Sequence, residues 1–167
     1  MLAGLTLALA ALGAGCGDSN GGSAGDPADA FVGTWTYGQT QSVVQCPGAD
    51  PMNALPEPNK TFARGVSSAL VDLSPSPLLQ GVFCDFAFDI DSSGTTATAH
   101  AGQTCALTSL DSVTVDQSMG ASLWTFTLNS ASTAEEIVQA TAHFQVTGQI
   151  ESCSWLMQAH LTRVSKD

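Results

Sequence analysis

From Phe31 to the C-terminus, apolar and polar residues alternate with a period of two in short runs separated by turn formers, which predicts a succession of antiparallel strands. Phe31, Gly33, Trp35 and Tyr37 share one face of the first, with Val32, Thr34 and Thr36 on the other. Ser42 to Cys46 continues it past an expected bulge at Gly38. The stretch Pro47 to Lys60, with Pro47, Pro51, Pro56 and Pro58, reads as a long loop. Thr61 to Leu73 is a weakly alternating strand closed by Ser74-Pro75-Ser76-Pro77. Cys84, Phe86, Phe88 and Ile90 then alternate with Asp85, Ala87 and Asp89 in the clearest strand of the chain. Asp91-Ser92-Ser93-Gly94 makes a tight reversal into Thr95 to Leu107, and Leu110 to Gln117 follows. Leu123 to Asn129 places Trp124, Phe126 and Leu128 on one face, and 136–147 sets Val138, Ala140, Ala142, Phe144 and Val146 against Gln139, Thr141, His143, Gln145 and Thr147. The last strand carries Cys153, Trp155, Met157, Ala159, Leu161 and Arg163 on one face. Eight or nine strands with short links and no convincing helix favour an all-β, antiparallel up-and-down barrel, with a β-sandwich as the alternative.

The pattern before Phe31 is different. Residues 1–12 are almost wholly apolar, too short to span a bilayer, and run through Gly13-Ala14-Gly15 into Cys16 and a Gly/Ser/Asn/Asp tract. This divides the chain into a removable signal peptide (1–15), a flexible tether (16–29) and a barrel domain (30–167). The small-residue run before Cys16 resembles the lipobox of bacterial lipoproteins. That resemblance implies acyl chains on Cys16, a membrane partner held through the N-terminal lipid anchor, and residence in the bacterial cell envelope, with the outer membrane expected.

With Cys16 given to lipid, Cys46, Cys84, Cys105 and Cys153 remain, dispersed and without metal-ligand spacing. In an exported chain they read as two disulfides. Three pairings are open; Cys84 with Cys105 and Cys46 with Cys153 is preferred among them, because the Asp91 to Gly94 turn joins the strands of the first pair. Charge excludes one class of partner. Fifteen acidic residues face four basic ones, for a net charge of -11, so phosphate backbones are repelled and no nucleic acid is expected.

Phe31-Val32-Gly33-Thr34-Trp35-Thr36-Tyr37 resembles the G-x-W start of lipocalin-like and related calycin barrels. The resemblance implies that Trp35 lies across a closed barrel end and that Arg163, inward-facing near the end of the last strand, covers it as a cation over an indole.

Little in the chain points to catalysis. Asp89-Ile90-Asp91-Ser92-Ser93-Gly94 has the opening of a calcium loop, but His100 stands at its twelfth position and strands flank it, so a hairpin turn is the better reading. The acidic pairs Glu135-Glu136 and Asp85/Asp89 are expected at a loop junction and on an outward face, both solvated. His100, His143 and His160 have no metal spacing. By parity, Arg163 is the one ionisable residue expected inside. No enzyme, metal or cofactor is expected. The leading functional expectation is a small apolar or amphipathic, lipid-like ligand bound in the barrel against Phe86, Phe88, Trp124, Phe126, Phe144, Trp155 and Met157. The alternative is a solid barrel that docks other envelope components.

Overall fold

The computed structural model describes residues 25–56, 58–67, 69–74, 85–101, 103, 115–116, 123–146 and 149–166, with the backbone alone at 115–116, 142–146 and 149–151. A 3-10 helix (Pro27–Ala30) precedes ten strands: β1 (Gly33–Gln45), β2 (Met52–Asn53), β3 (Asn59–Arg64), β4 (Leu70–Asp72), β5 (Phe86–Ile90), β6 (Thr96–Ala99), β7 (Val115–Asp116), β8 (Leu123–Leu128), β9 (Thr133–Val146) and β10 (Gln149–Ser165). Eight of them close an antiparallel barrel in the order β10-β1-β3-β4-β5-β6-β8-β9, with β9 returning to β10; β2 and β7 are two-residue additions to β1 and β9. The fold class is the all-β barrel that the alternation predicts.

Burial follows the period-two pattern. Along β10, Cys153, Trp155, Met157, Ala159 and Leu161 are buried while Ser154, Leu156, Gln158, His160 and Thr162 are exposed. In β1 the pattern changes phase: Trp35 is buried before Gly38, Ser42 and Val44 after it. The cause is a bulge. Tyr37 pairs with Leu161 and Thr40 with Ala159, so one extra residue of β1 flips every later side chain to the opposite face.

Two expected elements differ. The run Thr61 to Leu73 is two strands: a reversal between them is closed by the Gly65 amide donating to the Ala69 carbonyl at 2.8 Å, with Ser67 at φ 58°. The weak alternation there reflects this exposed reversal in the middle of the run. The loop Pro47 to Lys60 ends inside β3, which places Lys60 in a strand. The tether also ends earlier than residue 29. Asp26 Oδ1 accepts from the Ala28 amide at 3.0 Å, capping the 3-10 helix, and Ala28 is fully buried, so residues 26–30 belong to the fold.

The barrel has unlike ends. Short reversals at 65–69, 91–95 and 129–132 share one end with the 3-10 helix and the terminus of β10; β1, β4, β6 and β9 finish at the other. Cys46 and Cys153 form a disulfide at this second end, with Cα atoms 4.2 Å apart, because Gln45 and Ser154 pair in the β1–β10 ladder beside them. Cys84 and Cys105, like Cys16, lie outside the described residues.

Candidate functional site

Three features lie along the barrel axis: a lid, an aromatic column and a charged cluster. The lid begins with Gly33. Its φ is 124°, and a Cβ there would lie 2.3 Å from the Ser165 carbonyl oxygen, so only glycine fits. Two residues on, Trp35 points inward, donates its indole N–H to the Phe31 carbonyl at 2.9 Å and is fully buried. The Arg163 guanidinium lies 4.4 Å from its ring centroid and donates to the Ala30 carbonyl, tying the last strand to the 3-10 helix. Burial lowers the Arg163 pKa from its ordinary value. Outside this layer, Arg64 pairs with Asp26 at 2.7 Å and with Asp29, holding the helix on the rim.

Below the lid the aromatic rings contact one another edge to face. Phe126 meets Trp35 at 5.1 Å and Phe62 at 4.9 Å between centroids; Phe62 meets Phe88 at 5.4 Å; Trp124 meets Phe88 at 5.3 Å, Phe86 at 5.1 Å and Trp155 at 5.8 Å. These separations are those of favourable aromatic pairs. Of the side chains assigned to a ligand wall, Phe86, Phe88, Trp124, Phe126, Trp155 and Met157 are all buried, and the five aromatics among them belong to this column. The Phe144 side chain lies outside the described residues. All three indole N–H groups are satisfied, Trp155 by Ser42 Oγ at 3.1 Å and Trp124 by a carboxylate.

That carboxylate is Glu136, and it overturns the expectation that Arg163 alone is ionisable inside. Lys60, Asp72 and Glu136 are buried, at 2%, 3% and 0% exposure. Parity explains each: Lys60 shares a face with Phe62, Asp72 with Leu70, and Glu136 with Val138 and Ala140. Glu136 is therefore not the solvated partner of Glu135. Its place in phase with Val138 and Ala140, not its nearness to the loop, decides its side of the sheet.

The cluster is closely connected. Lys60 Nζ contacts Asp72 Oδ2 directly and lies 3.0 Å from Glu136 Oε1. Glu136 Oε1 also accepts from the Trp124 indole, and Oε2 from the Tyr37 hydroxyl, both at 2.6 Å. Asp72 Oδ1 accepts from the Ser74 amide at 3.0 Å, and Ser74 Oγ in turn accepts from the Thr61 amide at 2.8 Å. The ammonium sits 5.0, 5.2 and 5.7 Å from the ring centroids of Trp124, Phe62 and Phe88. Burial pushes the Lys60 pKa down, and the Asp72 and Glu136 carboxylates over-compensate, leaving it above the ordinary lysine value. Burial, followed by the Glu136 and Asp72 charges, holds the Tyr37 phenol well above its usual range.

The outward groups are simpler. Asp91 Oδ1 accepts from Ser93 Oγ at 2.8 Å and from the Thr95 and Thr96 amides at 3.2 Å, so the calcium-like string is a hairpin turn that satisfies itself, with Gly94 at φ 70°. His100 Nε2 lies 2.7 Å from Asp89 Oδ1, whose side chain is exposed, and His160 is exposed. The His143 side chain lies outside the described residues. On the outer wall, Gln41 and Val43 of β1, Leu156 and Gln158 of β10, and Ile137 and Gln139 of β9 line a groove of neutral side chains, with Gln158 donating to the Glu135 carboxylate at 2.6 Å.

These features define a closed antiparallel β-barrel whose core, among the described residues, is packed by aromatic rings and a charged cluster. No protein family matches the sequence, and no curated protein matches it. Among solved structures, a redesigned β-barrel superimposes with a TM-score of 0.38 and 12% identity, over 84% of this chain and 96% of that one. A likeness of that size carries no functional argument.

Proposed function

We propose that this chain is a lipid-anchored envelope lipoprotein whose barrel is filled by its own side chains and which acts through its outer surface, docking other envelope components without chemistry on a substrate. The observation that carries this reading is the aromatic column. An interior ligand must displace or part the contacts from Trp35 through Phe126, Phe62, Phe88 and Trp124 to Trp155, and each such pair contributes about 0.5–1.5 kcal/mol beyond its buried area. The groove on β1, β10 and β9 is the docking face we assign, because its lining side chains are neutral and cost less to desolvate than the acidic surface of a chain of net charge -11, with the Glu135 carboxylate hydrogen-bonded to Gln158 beside it.

The lipid-ligand reading and this one part in a single titration. Fatty acids and phospholipids added to the whole protein should leave the emission of Trp124 and Trp155 unchanged, whereas a saturable change across such a panel would sink the solid-barrel reading. Leu156→Glu, which charges the groove while leaving the core alone, should abolish cross-linking to envelope partners and leave the unfolding midpoint near that of the parent. Mass spectrometry of the mature chain should find acylated Cys16, and recovery of an intact, unacylated N-terminus would refute the anchor.

A further inference from the structure

We propose that Lys60 and Asp72 become joined by an intramolecular amide, Nζ to Cγ, formed inside the folded barrel with Glu136 carrying the proton. Every part this step needs is in place. The nucleophile is the Lys60 amine, in direct contact with the Asp72 carboxylate. The acid–base group is Glu136, 3.0 Å from Nζ and fixed at both oxygens by Trp124 and Tyr37. The Ser74 amide hydrogen-bonds Asp72 Oδ1, the oxygen that becomes the oxyanion of the tetrahedral intermediate and then the amide carbonyl. Oδ2, on the Lys60 side, is the oxygen that departs.

The step balances within the cluster. Nζ, as an ammonium, passes one proton to Glu136 and becomes nucleophilic; Glu136 relays that proton to Asp72 Oδ2 as Nζ attacks Cγ, then takes a second proton from the tetrahedral nitrogen and gives it to the departing oxygen. The C–Oδ2 bond breaks, and the departing oxygen leaves as water with two hydrogens that both began on Nζ. Glu136 ends as it started, and no co-reactant is consumed. The two carboxylates hold Lys60 protonated at rest, so reaction begins with that internal proton transfer.

The surroundings favour the product. Amide formation from separate acid and amine is unfavourable in water, but holding the two in contact supplies effective concentrations of about 10^5 to 10^8 M. The rings of Phe62, Phe88 and Trp124 around Nζ exclude water that would reverse the bond. Condensation also removes two of three buried charges, each of which is costly to keep out of water. Glu136 is left accepting from Tyr37, Trp124 and the new amide N–H. An ordinary ion pair needs only one carboxylate beside Lys60. The second, pinned at both oxygens, is what the reaction requires. This is a single-turnover maturation of the chain, independent of what the outer surface binds.

The test uses the purified full-length protein, reduced, denatured and digested with trypsin and chymotrypsin. A fragment containing Lys60 should appear joined to one containing Asp72, lighter by one water than their sum, and trypsin should fail to cut after Lys60. Lys60→Met and Asp72→Ala should lack the species, and Glu136→Gln, checked for folding by near-ultraviolet dichroism, should form at most a tenth as much. Folded parent protein yielding the two fragments separately at their unmodified masses overturns the proposal without recourse to any variant. An undiminished link in Glu136→Gln overturns the role of Glu136.

Discussion

Replacing Arg163 by Met removes the cation from the barrel lid while keeping most of the side-chain volume, and the structure sets the size of the effect. The guanidinium lies 4.4 Å from the Trp35 centroid, a contact worth about 0.5–2 kcal/mol when partly desolvated. Its bond to the Ala30 carbonyl is charge-assisted and contributes about 1.5–3 kcal/mol. Against these stands Nε, buried without a partner, whose desolvation is relieved by the substitution. The net expected loss is roughly 2–3 kcal/mol. Urea denaturation followed by tryptophan emission, with the disulfide kept oxidised, reads the loss as a lower midpoint at unchanged slope. Arg163→Lys should recover less than half, because an ammonium cannot lie flat on the indole and reach Ala30 at once. Hydrogen exchange should quicken at the Phe31 and Val32 amides, which donate to the Ala28 carbonyl at 2.9 and 3.1 Å. A double-mutant cycle with Trp35→Phe isolates the stacking, expected to couple by about 0.5–1.5 kcal/mol. A loss for Arg163→Met under about 0.5 kcal/mol, or no coupling to Trp35, would show that the lid is held by apolar packing alone.

Two further outcomes follow from the same structure. Replacing Cys46 and Cys153 together by Ala opens a covalent loop of separation 107 and should cost about 3–5 kcal/mol, measured as the difference between urea midpoints of the oxidised parent and the variant; equal midpoints would place the stabilisation elsewhere. Asp91 is held below its usual pKa of 3.8 by the Ser93 hydroxyl and then by backbone amides, so its contribution is present above 3.8 and is lost as pH falls through the lower native value. Asp91→Ala should therefore be less stable than the parent at neutral pH and equal to it in stronger acid; a deficit that persists in acid would refute the turn assignment.

Strand identity was legible wherever alternation ran unbroken, as in β5, β8, β9 and β10, because one buried face forces period two. It failed where a short reversal intervened: the turn closed between Gly65 and Ala69 splits what reads as one weak strand into β3 and β4. The bulge expected at Gly38 is present, between Tyr37 and Thr40, and it reverses the inward face of β1 so that Ser42 and Val44 are buried. The Cys46–Cys153 bridge was legible only as one of several pairings, since register and not spacing decides which sulfurs meet. Gly33, Trp35 and Arg163 were read together only through the resemblance to the G-x-W start of calycin barrels; in the structure a Cβ at Gly33 would meet the Ser165 carbonyl and the Arg163 guanidinium lies 4.4 Å from the Trp35 ring centroid.

The charged cluster was the largest feature missed, and the reason is instructive in physical terms. Lys60, Asp72 and Glu136 come from strands β3, β4 and β9, and each taken alone is a charge on an inward face, which the cost of desolvation argues against. Only closure of the barrel makes burial tolerable, by bringing Glu136 from the far side of the chain to within 3.0 Å of Lys60 and adding donors from Tyr37 and Trp124. Parity assigns the face, topology supplies the partner, and the second is invisible in a linear reading. A charged residue in phase with a run of buried apolar positions is therefore better read as half of an internal pair than as a break in the strand, and in this chain that reading leads directly to Lys60 and Asp72, an amine and a carboxyl in contact within the core.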